Sequence, residues 1–291
     1  MFLIVGGDSE VGTAAASALR RHERTLTTTR RPDVGADDCI RLDLAGDLAT
    51  WEPPAGISAA CICAAVARLA DCANDPAASA RVNVTGTLAL AERLLARDIF
   101  VLFLSTNQVF DGTVPHVPAN APTAPISEYG RQKARTEAAL RARMDRGAPV
   151  AILRLSKVVS AQSKPLSDWM AALAAGKPIH PPAFRDMTLA PTPIDAVARA
   201  ITALMRERAS GVFQLTGPRD VTYAETARFV AERLGADPAL VATGSVANAA
   251  LADGAAPPHT TLDSSALRER FGIVVPDAWE VLDEVSRTMP R

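Results

Sequence analysis

The chain opens with a short apolar run that leads directly into glycines, FLIVGGDSEVG at residues 2–12. Residues 2–5 predict a buried strand, and the segment that follows the glycines predicts a helix. A glycine turn between a strand and a helix presents backbone N–H groups to a pyrophosphate. Gly6 permits the tight turn and Gly12 permits close packing of helix on strand, whereas Ser9 stands at the middle glycine of a GxxGxxG pattern. An ordinary strand-to-helix turn remains the alternative.

The alternation of short apolar runs with longer helical patterns continues through the first half of the chain. This rhythm predicts a parallel sheet with helices on both faces, the doubly wound α/β (Rossmann) fold. We expect residues 1–160 to form this domain, with a strand and a helix near 190–215 returning to it, and residues 161–291 to form mainly a smaller C-terminal α/β lobe. The predicted strands are 2–5, 25–29, 40–44, 59–66, 100–104 and 150–159, and the predicted helices are 11–21, 75–95, 129–143, 195–207, 222–234 and 264–271.

Composition excludes several classes of protein. With 291 residues, of which 48% are hydrophobic and 22% charged, the chain can bury a large core. The net charge of −1 is spread over mixed acids and bases, so no basic stripe is available to a nucleic acid. No apolar run approaches the roughly 20 residues that cross a bilayer, and no secretory signal precedes the first strand. We therefore expect a cytoplasmic protein without nucleic-acid or membrane partners.

The cysteines and histidines give little support to a metal site. Cys39, Cys61, Cys63 and Cys72 are too few and too unevenly spaced for a disulfide framework, and they are predicted to be reduced thiols, with metal binding as the weaker alternative. The histidines are scattered along the chain and form no i, i+4 pair. No metal is expected.

The end of the second predicted strand suggests a choice of cofactor. NAD-binding sites usually carry an acid there, on the adenosine ribose, but this chain has Thr29, Arg30 and Arg31. Guanidinium groups suit the 2′-phosphate of NADP. The sequence therefore favours NADP(H) over NAD(H), with a solvated basic turn as the alternative.

Other strand ends offer further cofactor contacts. Asp43 can accept a hydrogen bond from the adenine amino group or cap the next segment, and the small side chains of Ala64 and Ala65 leave room for a ribose or simply pack in the sheet. The candidate cofactor residues are Gly6, Ser9, Glu10, Val11, Gly12, Thr29, Arg30, Arg31, Asp43, Leu44, Ala64, Ala65, Val66, Tyr129 and Lys133.

Tyr129 and Lys133 are the sharpest chemical signal. An i, i+4 pair on a helix places the phenol and the ammonium on one face. A nearby ammonium favours the phenolate and should lower the pKa of the phenol, so that Tyr129 can exchange a proton with a carbonyl or alcohol oxygen. Lys133 can also hydrogen-bond a nicotinamide ribose.

A hydroxyl group precedes this pair at the end of a predicted strand. Ser105 and Thr106 open the segment STNQVFDG at residues 105–112, where a hydroxyl can hold the substrate oxygen beside the tyrosine. Thr106, three residues before Val109, is the first choice, and Ser105 is the second. The catalytic residues expected are therefore Thr106, Tyr129 and Lys133.

Taken together, these segments resemble the extended short-chain dehydrogenases/reductases, and within them the dTDP-4-dehydrorhamnose reductase-like, sugar-nucleotide-binding branch. The resemblance spans most of the chain. It is carried by five ordered matches, STNQVFDG at 105–112, PTAP at 122–125 leading to YGRQK at 129–133, ILRLS at 152–156, PTPID at 191–195 and GVFQLTG at 211–217.

The resemblance implies a Rossmann domain that binds NAD(P)H and a C-terminal substrate-binding lobe for a nucleotide-activated sugar. It implies a reductase that passes hydride to a 4-keto carbon while Tyr129 supplies the proton, with Thr106 and Lys133 completing the set. A homodimer is also implied. The alternatives are a nucleotide-sugar epimerase or dehydratase, or a regulatory partner protein that binds NAD(P) without catalysis.

Two departures from the branch's pattern concern the substrate side. Asn107-Gln108 stands where the branch usually has Asp-Tyr, and Lys157 stands where it usually has a tryptophan near the sugar. Lys157 either pairs with a carboxylate or phosphate of a ligand or is a surface lysine. The candidate substrate-binding residues are Asn107, Val109, Phe110 and Lys157.

Overall fold

The computed structural model describes residues 1–32 and 38–288. Its strands are β1 (Phe2–Val5), β2 (Thr25–Thr29), β3 (Cys39–Arg41), β4 (Ala59–Ile62), β5 (Phe100–Thr106), β6 (Val150–Leu155), β7 (Val158–Val159), β8 (Ala183–Phe184), β9 (Thr188–Leu189), β10 (Thr192–Pro193), β11 (Gly211–Leu215), β12 (Val221–Thr222) and β13 (Thr243–Gly244). Its α-helices are α1 (Glu10–Arg20), α2 (Leu69–Asn74), α3 (Pro76–Ala80), α4 (Thr87–Leu95), α5 (Glu128–Met144), α6 (Leu166–Ala174), α7 (Ile194–Glu207), α8 (Tyr223–Arg233), α9 (Ser265–Phe271) and α10 (Ala278–Arg287). A π-helical segment, Arg81–Gly86, joins α3 to α4.

The central sheet has seven strands in the order β3-β2-β1-β4-β5-β6-β11, and all neighbours are parallel. The chain builds outward from β1 to β3 and then crosses to β4 on the other side of β1. This reversal of strand order opens a crevice at the carboxyl ends of β1 and β4, where ligands bind in open α/β sheets. The expected doubly wound α/β fold is confirmed.

Helices cover both faces of the sheet. On one face, α1 and α7 pack their alanine and leucine side chains on alternate residues of β1, β4, β5 and β6. On the other face, α4 and α5 cover the remaining alternate residues of the same strands. Both faces are buried, which explains the continuous apolar runs that the sequence shows.

A second, smaller core lies in the C-terminal part of the chain. It is formed by apolar residues of α6, α8 and α10, with the ring of Trp169 fully buried at its centre. In contrast, α7 and β11 lie within the range 161–291 but pack on the central sheet. Residues 289–291, which we assigned to the lobe, lie outside the described residues. Within the described ranges, no helix is long and apolar enough to span a membrane.

A fully buried ion pair joins α5 to the sheet. Arg154 on β6 contacts the Glu137 carboxylate through Nε (3.0 and 3.2 Å) and Nη2 (2.6 Å). Its other amino group donates to the Gln214 side chain on β11 and to the Ala119 carbonyl, both at 3.1 Å. The ring of Phe110 lies 4.8 Å from the guanidinium carbon. One arginine therefore ties together two strands, a helix and the 110–119 connection.

Breaking this pair should cost much of the stability of the protein. In Arg154→Met, the buried Glu137 carboxylate loses its hydrogen-bonded partner and keeps only Arg141 Nε at 4.0 Å, so we expect the free energy of unfolding to fall by about 3 kcal/mol. Glu137→Gln, which leaves the guanidinium charge uncompensated, should also destabilise. Urea unfolding followed by circular dichroism measures both losses.

The matched control is an exposed ion pair. Arg97 contacts Glu52 with both side chains more than half exposed, and Arg97→Met should change the free energy of unfolding by less than about 1 kcal/mol. Equal effects of Arg154→Met and Arg97→Met would contradict a central role for the buried pair.

Candidate active site

The glycine turn forms a narrow cradle at the carboxyl end of β1. Gly6 has φ +84°, and a Cβ placed there would lie 2.8 Å from the backbone of Ala64 after β4. The Ser9 hydroxyl donates to the Gly6 carbonyl (2.7 Å) and accepts from the Gly12 N–H (3.0 Å), so it caps α1. Ser9 therefore keeps the turn closed by side-chain hydrogen bonds at the position of the missing glycine.

The first turn of α1 is suited to a pyrophosphate. Among the described residues, the backbone N–H groups of Glu10 and Val11 have no hydrogen-bond partner, whereas Ser9 takes that of Gly12. Unpaired N–H groups at a helix N-terminus attract an anion. The residues predicted here from the sequence thus lie together, and they fit the pyrophosphate of a dinucleotide.

The Glu10 side chain points away from this turn toward the segment after β7. Its carboxylate accepts from the hydroxyls of Ser160 and Ser163. The neighbouring Lys157 is half-buried and its Nζ donates to the Lys164 carbonyl (2.8 Å). Burial lowers the pKa of Lys157, and the Glu10 charge opposes this effect. Lys157 is therefore part of a linked cluster beside the cradle, which argues against a free surface lysine.

The segment after β4 forms the second wall of the crevice. The Ala64 N–H donates to the Val5 carbonyl (3.0 Å), and Val66 exchanges hydrogen bonds with the side chain of Asn83 (2.8 and 2.9 Å). The same Asn83 amide donates to Gln132 on α5 (2.8 Å). Ala64, Ala65 and Val66 thus border the cradle, and Asn83 holds them.

Sequence reasoning missed Asn83. It lies in the π-helical segment Arg81–Gly86, and a π-helical turn inserted in a helix is frequent at functional sites. The sequence predicted one unbroken helical stretch over 75–95, because a local insertion leaves apolar periodicity almost unchanged. No signal in the sequence alone marks the insertion.

The strand that we expected to end at Leu44 is shorter in the structure. We predicted a strand over 40–44, but β3 ends at Arg41. One oxygen of the exposed Asp43 carboxylate accepts from the Ala45 N–H (2.9 Å), as in the capping alternative, and the contact with adenine stays a prediction. Leu44 is buried in the core beneath α4, so its side chain packs rather than faces the crevice.

The end of β2 carries the predicted basic residues. Thr29 is buried, whereas Arg30 and Arg31 are exposed. Arg31 Nε lies 3.7 Å from the Asp8 carboxylate, which comes from the glycine turn. An acid is thus present at this strand end after all, delivered from a different segment.

Tyr129 and Lys133 lie in the first two turns of α5. The Ser127 hydroxyl caps this helix by accepting from the Gly130 N–H (3.0 Å). A Cβ at Gly130 would lie 2.1 Å from the Gln108 carbonyl, so only glycine allows the helix to approach the segment after β5. The close approach places Tyr129 beside the strand end that carries Thr106.

Lys133 is buried and pinned to the sheet. Its Nζ donates to the Leu104 carbonyl (2.8 Å) and lies 4.4 Å from the centre of the Phe103 ring and 5.8 Å from that of Tyr129. Burial lowers the pKa of Lys133 to about 8, and nearby thiols and Glu137 oppose this shift.

The expected lowering of the Tyr129 pKa is wrong for this arrangement. Burial raises the pKa of the Tyr129 phenol, and the Cys72 thiol adds to the rise. The Lys133 ammonium is engaged by the Leu104 carbonyl and does not offset the loss of water around the phenol. Tyr129 is consequently a protonated phenol at neutral pH, which suits a proton donor.

The two candidate hydroxyls differ in their surroundings. Thr106 Oγ1 accepts from the Gln108 N–H (3.2 Å) and donates to the Asn107 side chain (3.4 Å). Ser105 Oγ is buried without a hydrogen-bond partner among the described residues. Side chains alternate along β5, so Ser105 projects to the same face as Phe103, which contacts Lys133. Both hydroxyls lie at the crevice edge of the sheet.

The substrate-side candidates are only partly brought to the site. Asn107 is half-buried next to Thr106. Val109 has no exposed surface and packs with Phe110 and Leu262, and Phe110 lies against Arg154. The apolar surfaces of Val109 and Phe110 are therefore used in packing, in contrast to the substrate contact that we expected for these two side chains.

The thiols of Cys39, Cys61, Cys63 and Cys72 are all free. Cys61 and Cys72 are buried, and burial raises the pKa of both. In the described parts of the chain, no group of three or more His, Cys, Asp or Glu residues is arranged to hold a metal ion.

The fold, the glycine cradle and the Tyr129–Lys133 helix define an oxidoreductase of the extended short-chain dehydrogenase/reductase type. The model of the RmlD substrate binding domain matches residues 1–289. The chain therefore belongs to the RmlD substrate-binding domain family, in agreement with the resemblance of its motifs.

Individual relatives agree with this assignment. A probable low-salt glycan biosynthesis reductase of Haloferax volcanii is 32% identical over 193 residues, which are 64% of this chain and 63% of that protein. A dTDP-4-keto-6-deoxy-D-glucose reductase of Streptomyces niveus is 28% identical over 96% of this chain and 89% of its own length. The UDP-glucose 4-epimerase of Thermus thermophilus, solved in complex with NAD, has a TM-score of 0.81 and 18% identity, with 98% of this chain and 97% of that chain covered, and this likeness supports the fold.

Lys133 should make stability depend on pH. The pKa of Lys133 is about 8 in the folded protein, whereas a lysine in water has a pKa of about 10.5, so between these values the unfolded chain binds a proton that the folded protein does not. The free energy of unfolding, relative to a Lys133→Met variant, should therefore rise by about 2–3 kcal/mol from about pH 7 to about pH 10.

Urea unfolding of both proteins at the two pH values measures this difference. The control is Lys177→Met, because Lys177 is exposed, and this variant should follow the parent at both values. A pH-independent gap between the parent and Lys133→Met would refute the burial effect.

Proposed function

We propose that this protein is an NAD(P)H-dependent reductase of a 4-keto nucleotide sugar, resembling dTDP-4-dehydrorhamnose reductase. One observation carries the proposal: Gly130 lets α5 approach the segment after β5, and Lys133 on this helix donates to the Leu104 carbonyl near the end of the strand that carries Thr106. The glycine cradle at the end of β1 provides the cofactor half of the same crevice. The names of the reductases among its relatives support the choice of substrate class.

In this proposal Tyr129 gives its proton to the carbonyl oxygen of the sugar. The raised pKa keeps the phenol protonated until the oxygen gains negative charge. Thr106, or the unpartnered Ser105 hydroxyl, donates a hydrogen bond that orients the same oxygen. Lys133 would donate a hydrogen bond to the nicotinamide ribose. Its positive charge would stabilise the negative charge that the Tyr129 oxygen gains when it gives up its proton. When bound, the nicotinamide supplies the hydride.

The structure gives less support to a dehydratase. Such enzymes usually have acids directly after the catalytic hydroxyl, whereas here Asn107 and Gln108 follow Thr106. The Gln108 amide oxygen accepts from the Ser127 hydroxyl (3.1 Å) and is used in fixing the start of α5. A regulatory, non-catalytic role is less favoured, because the Ser9 hydroxyl bonds to the Gly6 carbonyl and so maintains the shape of the glycine cradle.

Arg30 and Arg31 support a preference for NADP(H), because both are exposed at the strand end where dinucleotide-binding folds hold the adenosine ribose. The division into domains at residue 160, a homodimer and a cytoplasmic location stay predictions.

Tyr129→Phe should abolish most of the reaction. It removes only the phenol oxygen, so kcat should fall by about 10²–10⁴-fold while cofactor affinity stays within about twofold. The rate of NADPH oxidation, monitored by absorbance with a dTDP-4-keto-6-deoxy sugar as substrate, gives kcat. Fluorescence titration with NADPH gives the cofactor affinity.

The chain offers one matched control, because Tyr223 is its only other tyrosine. Tyr223 packs edge-on against Trp169 in the lobe core, and Tyr223→Phe should keep kcat within a few-fold of the parent. Equal activity of Tyr129→Phe and the parent protein would exclude the proposed proton donor.

Removing both guanidinium groups tests the cofactor preference. The double variant Arg30→Ala/Arg31→Ala should weaken NADPH by about tenfold or more and leave NADH nearly unchanged, because only NADPH has a 2′-phosphate. Fluorescence titrations with the two cofactors measure the ratio. Equal losses of affinity for NADPH and NADH would show that these arginines do not bind the 2′-phosphate.

A further inference from the structure

An acidic residue reaches the ribose end of the crevice from the glycine turn. Gly7 N–H donates to the Thr28 carbonyl (2.9 Å) and Gly6 N–H to the Thr28 hydroxyl (3.1 Å), so the turn is fixed against the end of β2. The next residue, Asp8, accepts a hydrogen bond from the Thr29 hydroxyl (3.3 Å). The backbone contacts thus deliver a carboxylate to the last residue of β2.

This carboxylate also faces one of the two arginines. Asp8 Oδ2 lies 3.7 Å from Arg31 Nε, with the side chains 40% and 74% exposed. The Thr29 hydroxyl further accepts from the Arg31 N–H (3.2 Å) and so couples the positions of the two charges. Arg30 is exposed and takes part in none of the ion pairs found in the described residues.

The Asp8 carboxylate and the two guanidinium groups favour different cofactors. A carboxylate at the end of β2 accepts hydrogen bonds from the adenosine ribose hydroxyls of NAD(H), whereas a guanidinium binds the 2′-phosphate of NADP(H). Asp8 repels a 2′-phosphate, and its attraction for Arg31 competes with the phosphate for the same guanidinium. A site with Arg30 and Arg31 alone would lack both effects.

We propose that Asp8 is a specificity-determining residue that limits the preference for NADP(H) and lets the site also take NAD(H). The inference rests on the proposed function, because it presumes a nicotinamide cofactor in the crevice. With NADPH, Arg31 leaves Asp8 and pairs with the 2′-phosphate. With NADH, Asp8 keeps Arg31 and accepts from a ribose hydroxyl.

The test is binding of NADPH and NADH to the full chain, measured by calorimetry without substrate. Asp8→Asn keeps a carbonyl oxygen for the Thr29 hydroxyl and removes the charge. It should tighten NADPH roughly tenfold and weaken NADH about threefold, so the NADPH/NADH affinity ratio should rise by about 30-fold. Adding Arg31→Ala to Asp8→Asn should cancel most of the gain for NADPH.

The control removes the same charge elsewhere. Asp145 is exposed at the C-terminus of α5, at the opposite edge of the sheet, and Asp145→Asn should leave both affinities unchanged. Thermal unfolding of each variant confirms that it is folded.

The outcomes separate this inference from the proposed function. If Asp8→Asn leaves the NADPH/NADH ratio unchanged while the parent binds both cofactors, the role of Asp8 is refuted and the proposed function stands. If the folded parent binds neither cofactor, both fail. A raised ratio in Asp8→Asn, lost again with Arg31→Ala, supports the competition between the two charges.

Discussion

The buried contact between Arg154 and Glu137 is the constraint on which the arrangement of the site depends. A guanidinium without water must have its donors satisfied, and here they reach a carboxylate on α5, an amide on β11 and a carbonyl in the loop after Phe110. These contacts fix the positions of α5, β11 and the 110–119 connection relative to β6. Since Glu137 lies one helical turn after Lys133, the pair also determines where the amine meets the sheet.

A second, neutral network continues from this helix to the cofactor side. Gln132 connects α5 to Asn83, and Asn83 connects to Val66 beyond β4. The Thr136 hydroxyl donates to the backbone carbonyl of Asn83 (2.9 Å). Consecutive turns of α5 thus bind the π-helical segment, the sheet and the crevice wall, and the proton-donating and cofactor-binding halves of the site share one rigid support.

The central fold could be predicted because its signals are local. Apolar runs predict β1, β5 and β6, β-branched threonines predict β2, and the glycine turn predicts the start of α1. The sequence analysis missed α6, which follows the short polar connection 160–165. It also missed α10, although Asp277 and Glu280 form a capping box at its start. At the site, the motif spacing brought Tyr129, Lys133 and Thr106 together. Asp8 and Asn83 could not be found, because their roles arise from contacts with strand and helix ends far along the chain.

The C-terminal lobe is built from separated stretches of chain. The core of the lobe is formed by α6, α8 and α10. Between α6 and α8 the chain returns to the central sheet as α7 and β11, and between α8 and α10 it returns as α9. Recombination with a relative therefore cannot exchange the lobe by a single crossover. A chimera that carries a new lobe on this sheet needs three coordinated segment swaps, and a truncation after β6 would remove the edge strand and a whole covering helix of the Rossmann domain.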